Sequence, residues 1–466
     1  MDLIQQSECE TYRAIVLDQD GTALLLAPTD KGFLLPSAEV PRWQRLAENL
    51  TAAMKSKWGC DAICLFAPDA AASASHSSGV NYQVFECWNR TETGNAPAEW
   101  VPISSLSEKS FQDSADYSAV QQSVAEGNAY SRGRGGPFAQ LGWFRELQTW
   151  VGDAIRPLGL QLKGPFCQFN ASPSFSLIRF ETDGPAIWFK AVGEPNLREF
   201  PVTLTLAQLF PRYVPPVLST RPEWNGWLTP EVEGTNLGET REATLWEVAA
   251  AALAKLQIES ISKHAQIRDS GARDLSTATL SDRVLPFLDL MGQLMNQQTK
   301  VPPPILGREE LAVLGERLQD ALCLIEELGI PDTLGHLDLN PGNIIVSPNG
   351  CAFLDWAEAY VGHPFFSFQY LLEHFRRIVG PDSISAAKLA ASYLAPWEQI
   401  ASRDCPTEAL PLAPLLAVFA YAAGTDAWRQ PERLRDANAA GYMRSLTRRM
   451  NREANQLSDQ GSPCLS

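Results

Sequence analysis

The chain has 466 residues, 45% of them hydrophobic and 20% charged, which exceeds one ordinary core and fits two or three soluble globular domains. Its 54 acids against 38 bases leave a net charge of -16, which opposes binding to a phosphate backbone, so nucleic acid is not an expected partner. Nine scattered cysteines form no CxxC pair and no zinc spacing, and fit reduced thiols in a cytoplasmic setting. The first residues carry no basic end followed by an apolar run, and the longest apolar run, Leu415 to Gly424, reads as a buried helix rather than a membrane span.

From Tyr12 to about Tyr130 the pattern is α/β. Arg13 to Asp18 and Thr22 to Ala27 flank Gln19-Asp20-Gly21, a hairpin signal. Leu46 to Trp58 spaces its apolar residues as a helix does, and Ala62 to Phe66 and Tyr82 to Trp88 read as strands around a Ser/Ala-rich loop at 69–79 expected to be mobile. With Leu35 to Val40 before the helix and Trp100 to Ile103 late, this order looks like a Nudix domain. That resemblance fails at the chemistry. Aligning Gly59 with the glycine that closes the Nudix box puts Ala53, Ser56 and Lys57 where that family keeps metal-binding glutamates, and Gln44 at the earlier one. Without those carboxylates a divalent cluster has no ligands, so residues 1–130 are expected to be inactive as a hydrolase and to bind a ligand or simply to pack.

Ser131 to Pro137 is glycine-rich and closed by proline, which marks a linker, and Trp143 to Ile155 carries one apolar stripe, so 131–160 reads as linker and docking helix. From 161 to 230 the chain is mostly β. A turn-rich run, Asn170 to Ser174, separates two strands, but it lacks a glycine-rich phosphate loop, and no Walker motif occurs anywhere. Lys190 lies in the apolar strand Ile187 to Val192, where an ammonium must find an anion or reach water. Glu199 follows on the next helix, where Asn196 and Glu199 also have the spacing of a capping box, and Pro201 favours a helix start nearby.

Residues 231–466 are expected to be helical, with stripes at Leu245 to Leu256, Arg283 to Gln298, Glu309 to Leu328, Phe368 to Val379, Ile384 to Tyr393, Pro414 to Ala422 and Pro431 to Leu457. Within them lies Gly335-His336-Leu337-Asp338-Leu339-Asn340-Pro341-Gly342-Asn343, then Ile344 to Ser347, a Pro348-Asn349-Gly350 turn, and Cys351 to Trp356. Two apolar runs around Pro-Asn-Gly predict a hairpin, and pairing symmetric about Asn349 brings Asn343 and Asp355 to its open end, with Asp338 in the loop that feeds the same end.

This stretch resembles the catalytic core of the aminoglycoside phosphotransferase and choline kinase group, a branch of the protein-kinase-like fold. The resemblance covers about 160–400 and implies an α+β, bilobal protein-kinase-like fold behind the Nudix-like domain. It implies a catalytic base at Asp338, Mg²⁺ ligands at Asn343 and Asp355, Lys190 on the phosphates of ATP with Glu199 as its partner, and His336 as a structural brace. Trp227 to Gly234 resembles the strand-to-hinge crossing, where Pro230 has no N–H to donate, so Glu231 and Val232 are the expected contacts for the adenine. An edge lysine facing solvent, a capping glutamate and a generic buried histidine remain the alternatives for 190, 199 and 336.

Two departures from the resemblance follow the Asp-Trp strand, where Gly362-His363-Pro364 and Ser367 stand in place of acids. The expected function is phosphoryl transfer from ATP to a hydroxyl of a small-molecule acceptor, with a catalytically weak nucleotide-binding regulator as the alternative.

Overall fold

The computed structural model describes residues 9–68, 80–91, 96–131, 135–348, 350–400 and 405–459. The loop expected at 69–79, residues 132–134 of the expected linker, Asn349 of the expected turn and the terminal residues 460–466 lie outside the described residues. The chain divides into two compact units, one of residues 1–200 and 217–231, the other of 201–216 and 232–466.

The first unit opens with β1 (Cys9–Leu17), β2 (Ala23–Thr29), β3 (Gly32–Leu34), β4 (Ser37–Pro41), α1 (Leu46–Trp58), β5 (Cys60–Cys64), β6 (Val80–Arg90) and β7 (Glu99–Pro102). They form a sheet of order β3-β2-β1-β6-β5, with β4 also paired to β1 and β7 to β2; β1 and β6 are parallel and the other pairs antiparallel. The first hairpin closes because the Asp18 carboxylate accepts from the backbone N–H groups of Thr22 and Ala23, at 2.7 and 3.0 Å, while Gly21 takes φ 69°. Helix α1 buries the stripe Ala47, Leu50, Met54 and Trp58 and stops at Gly59, whose φ of 67° suits glycine.

Helix α2 (Ser114–Tyr130) is absent from the sequence reading, and its inner face shows why. Only Ala119 and Val120 are apolar there; Asp116 and Ser123 are buried beside them, so no apolar stripe marks the helix. Asp116 pairs with Arg13 and accepts from the Tyr82 hydroxyl at 3.0 Å, and Arg13 also reaches Asp113, the helix cap, at 2.7 Å. Helix α3 (Trp143–Ile155) follows, matching its expected limits.

The second sheet of this unit is antiparallel, ordered β11-β12-β10-β9-β8, from β8 (Leu162–Ala171), β9 (Ser176–Thr182), β10 (Ile187–Ala191), β11 (Ser219–Arg221) and β12 (Gly226–Pro230). One apolar cluster runs from Ile15 and Val84 through Phe138 and Phe144 to Phe180 and Phe189, so both sheets share a core. The buried Gln168 side chain links them further, accepting from the Cys64 N–H at 2.8 Å and donating to the Cys64 carbonyl at 3.2 Å.

Helix α4 (Glu199–Leu209) starts in the first unit and continues in the second. The second unit then contains β13 (Thr235–Asn236), α5 (Ala243–Ser260), α6 (His264–Asp269), β14 (Arg273–Leu275), α7 (Thr277–Asn296), α8 (Arg308–Glu327), β15 (Thr333–His336), β16 (Ile344–Ser347), β17 (Gly350–Phe353) and β18 (Ala359–Gly362). It closes with α9 (Phe365–Ile378), α10 (Ser383–Leu394), α11 (Cys405–Ala409), α12 (Ala413–Gly424), α13 (Pro431–Leu434) and α14 (Ala437–Asp459). Two three-stranded sheets, β13-β16-β17 and β14-β18-β15, sit among these helices.

The helix expected over Pro431 to Leu457 is two helices, because Asp436 interrupts it: its carboxylate accepts from the Ala439 N–H at 2.8 Å and caps a new start. The stretch Cys405–Gly424 is long and apolar enough to cross a membrane by length and composition alone. A 3₁₀ turn at Leu410–Leu412 divides it, and α12 is buried along nearly its whole length in the core of this unit.

Candidate active site

In the first unit, β10 pairs Lys190 with Leu177 of β9 and Trp227 of β12, which makes it a central-strand residue and removes the edge-strand alternative. Its ammonium is ion-paired to the buried Glu199 carboxylate and lies 5.8 Å from the centre of the Trp227 ring. The pair exists because α4 begins at Glu199, whose N–H donates to the Asn196 carbonyl at 2.9 Å. The helix is bounded at Glu199, three residues beyond Asn196, and the Glu199 carboxylate is engaged by Lys190.

The turn between β8 and β9 closes through the Ser172 N–H on the Phe175 carbonyl at 2.9 Å. It is also tied down from the preceding segment: the Phe138 N–H donates to the Pro173 carbonyl at 3.0 Å, and a side chain at Gly136 would meet that carbonyl oxygen at 2.0 Å. A residue other than glycine at 136 would therefore displace the turn.

Of the backbone groups expected to meet a nucleotide base, the Glu231 N–H donates to the Ala186 carbonyl at 2.8 Å and so continues the sheet. The Glu231 carboxylate holds Arg179 through two bonds of 3.0 and 2.7 Å. That leaves the Glu231 carbonyl, and not its donor, for the expected role. Val232 follows in irregular backbone and opens the second unit's next segment.

In the second unit, β16 and β17 pair Ile344 with Phe353 and Ser347 with Gly350, a register one residue away from symmetry about Asn349. Asn343 therefore faces Leu354, whose N–H donates to the Asn343 carbonyl at 2.8 Å, and Asp355 lies one residue beyond the pair. In a strand that shift sends a side chain to the opposite face. Asp355 instead takes φ 62°, ψ 67°, a left-handed conformation uncommon outside glycine, and the chain turns there.

The Asn343 amide comes within 3.5 Å of the Asp338 carbonyl, and the Asn340 N–H reaches that same carbonyl at 2.7 Å. The Asn340 side chain accepts from the Gly342 N–H at 2.9 Å, and Asn236 of β13 donates to the Gly342 carbonyl at 3.0 Å. Residues 338, 343 and 355 thus belong to one hydrogen-bonded loop system.

His336 joins its two halves. Its Nε2–H donates to the Leu354 carbonyl at 3.2 Å, and Nδ1 accepts from the Asp338 N–H at 3.2 Å, an arrangement that requires the neutral ring. Burial lowers its pKa accordingly, against the opposing pull of the Asp355 charge. Its backbone N–H donates to Ser367 Oγ at 2.8 Å, and the Tyr360 hydroxyl lies 3.0 Å from the same oxygen. Ser367, one of the departures noted in the sequence, is therefore what braces this loop. Tyr360 fits across β18 and β15 only because its partner is Gly335, where a Cβ would fall 2.0 Å from the ring.

The second departure, His363, is buried with Nε2 unpartnered, and burial pushes its pKa down to about 3. Sequence reading missed Tyr421 and His374. Tyr421 has its pKa raised by burial, by hydrogen bonding to Tyr442 and by the charges of Glu358 and Asp338; His374 has its own lowered by burial and Arg377, while Asp338 pulls it up. An isolated tyrosine and a histidine on separate helices give no motif from which this nearness to Asp338 could be read.

An amide oxygen and a carboxylate at 343 and 355 are hard donors of the kind Mg²⁺ takes alongside waters and substrate phosphates. Among the described residues no group of three or more His, Cys, Asp or Glu side chains could hold a metal ion by itself. A metal here would complete its coordination with such non-protein ligands.

Residues 207–401 match the family model described as the phosphotransferase enzyme family, APH. No curated protein gives a significant sequence match. Among solved structures, the chain is similar to a choline kinase from Cryptosporidium parvum Iowa II at 13% identity, over 68% of this chain and 98% of that one, with a TM-score of 0.48. It is also similar to a macrolide 2'-phosphotransferase type I at 18% identity, over 63% and 96%, with a TM-score of 0.42. A third is a putative aminoglycoside phosphotransferase from Ralstonia eutropha, at 16% identity over 67% and 98%, with a TM-score of 0.43.

Proposed function

We propose that the protein transfers the γ-phosphoryl group of ATP to a hydroxyl of a small molecule. Asp338 orients that hydroxyl and takes its proton, Asn343 and Asp355 hold Mg²⁺, and Lys190, kept in place by Glu199, meets the phosphates. The family match over 207–401 supports the class of reaction. The observation that carries the reading is the loop system in which one neutral histidine ties the backbone of Asp338 to the residue before Asp355. Fixing a base and two metal ligands beforehand is most of what phosphoryl transfer asks of a protein, because its acceleration comes from positioning and charge neutralisation. The bracing by Ser367 supports turnover over a purely regulatory role.

In this reading residues 1–130 form a Nudix-like domain without hydrolase chemistry. Lys57, at one of the glutamate positions of that family, donates instead to the Ser37 carbonyl at 3.1 Å.

The test is ADP release from Mg²⁺ and ATP over a panel of aminoglycosides, sugars and amino alcohols. One or more acceptors should raise it above slow hydrolysis, and EDTA should abolish it. ATP-induced thermal stabilisation without any ADP formation would replace this reading with the regulator.

A further inference from the structure

On another flank of the second unit a cavity of about 970 Å³ opens between α7, α13 and α14 and the segment 297–300. Lys300, Arg429, Arg435 and Arg444 line it over an apolar floor that includes Leu294 and Trp428, and no carboxylate is among its described lining residues. In a chain of net charge -16, four cationic side chains around one concavity form a local positive island.

The floor is built. The Trp428 indole N–H donates to the Ala423 carbonyl at 2.9 Å, Arg429 stacks its guanidinium 4.8 Å from that ring, and Arg444 donates to the Leu294 carbonyl at 3.3 Å. One turn further along α14, Arg448 has its pKa lowered by burial and by the charge of Arg444, as crowded cations should.

We propose that this cavity binds an organic anion with an apolar or aromatic body and at least two negative charges, a phosphate monoester being the simplest case. The island supplies the charge recognition, and the apolar lining of Pro286, Leu290 and Leu434 over the buried Trp428 accepts the body, so neither inorganic phosphate nor the uncharged body should bind as well. The site is separate from the 336–355 loops. Arg444 lines the cavity, whereas Tyr442 and Arg449 project from the opposite side of α14, where Arg449 pairs with Glu373 of α9. The proposal does not rest on phosphoryl transfer.

The experiment titrates the full chain at low salt with 1-naphthyl phosphate, read by its fluorescence, beside 1-naphthol and inorganic phosphate. The Lys300→Glu/Arg435→Glu double variant changes two exposed residues and should fold; it should weaken binding about tenfold or more. Asp355→Ala should leave binding unchanged. Four outcomes would overturn the proposal: no binding below about 1 mM, naphthol binding as tightly as its phosphate, undiminished binding by the double variant, or loss of binding in Asp355→Ala.

Discussion

The seven-stranded sheet with α2 and the pair of three-stranded sheets around 336–355 both depend on polar side chains, and they use them in opposite ways. In the first, Arg13 pairs with Asp113 and Asp116 and the Tyr82 hydroxyl donates to Asp116, whose side chain is sealed from water. In the second, backbone groups, a neutral histidine and a serine make the bonds that brace the loop. Charges paired with one another inside a core hold structure, whereas a loop braced through its backbone is held by groups other than its acids.

The sharpest way to break that contrast is to remove one carboxylate from each region. Asp338→Ala should cost roughly 10²- to 10⁴-fold in kcat with little change in melting temperature and with nucleotide binding retained, as loss of a general base does. Equal loss of turnover and nucleotide binding in a folded protein would end the assignment. Asp116→Ala should do the reverse, leaving Arg13 with Asp113 alone and the Tyr82 hydroxyl without its acceptor, and costing about 1–3 kcal/mol of stability in denaturant titration, with turnover per folded molecule unchanged.

Acid should separate the regions next. His363 has its pKa lowered to about 3 in the folded state against 6.5 when exposed, so below pH 6.5 the unfolded chain takes up a proton that the folded one refuses. Stability from this residue is complete above pH 6.5 and falls by about 1.4 kcal/mol per pH unit between 6.5 and 3. His336, depressed in the same direction, adds to that slope. Urea unfolding of His363→Leu across this range should show a shallower dependence on pH than the parent.

A smaller effect is expected at the brace. Ser367→Ala strands the buried His336 N–H and should cost about 1–3 kcal/mol; kcat should fall with it if the brace positions Asp338, and an unchanged kcat would show that the loop holds its geometry without Ser367. The smallest effect lies far from either region, at Asp436→Ala, where loss of a helix cap should cost about 1 kcal/mol and leave kcat alone.

Much of this was legible in the chain because it is local. The limits of α1 and α3, the first hairpin and the hairpin of β16 and β17 follow from apolar spacing and turn residues within a few positions of each other. Helix α2 was not, because its inward face is a carboxylate whose partner is Arg13, about a hundred residues away, and a charged residue inside a core looks like a solvent face until its partner is known.

The sequence by itself determined which oxygen-bearing residues stand near one another at 338, 343 and 355, since short spacing around a tight turn constrains them. Tertiary structure decided how they are presented. The hairpin register places Asp355 beyond its pair, a left-handed backbone turns the chain there, and a serine from α9 carries the brace. Spacing along a chain limits distance, whereas the direction of a side chain depends on backbone torsions and on partners that only folding brings into contact.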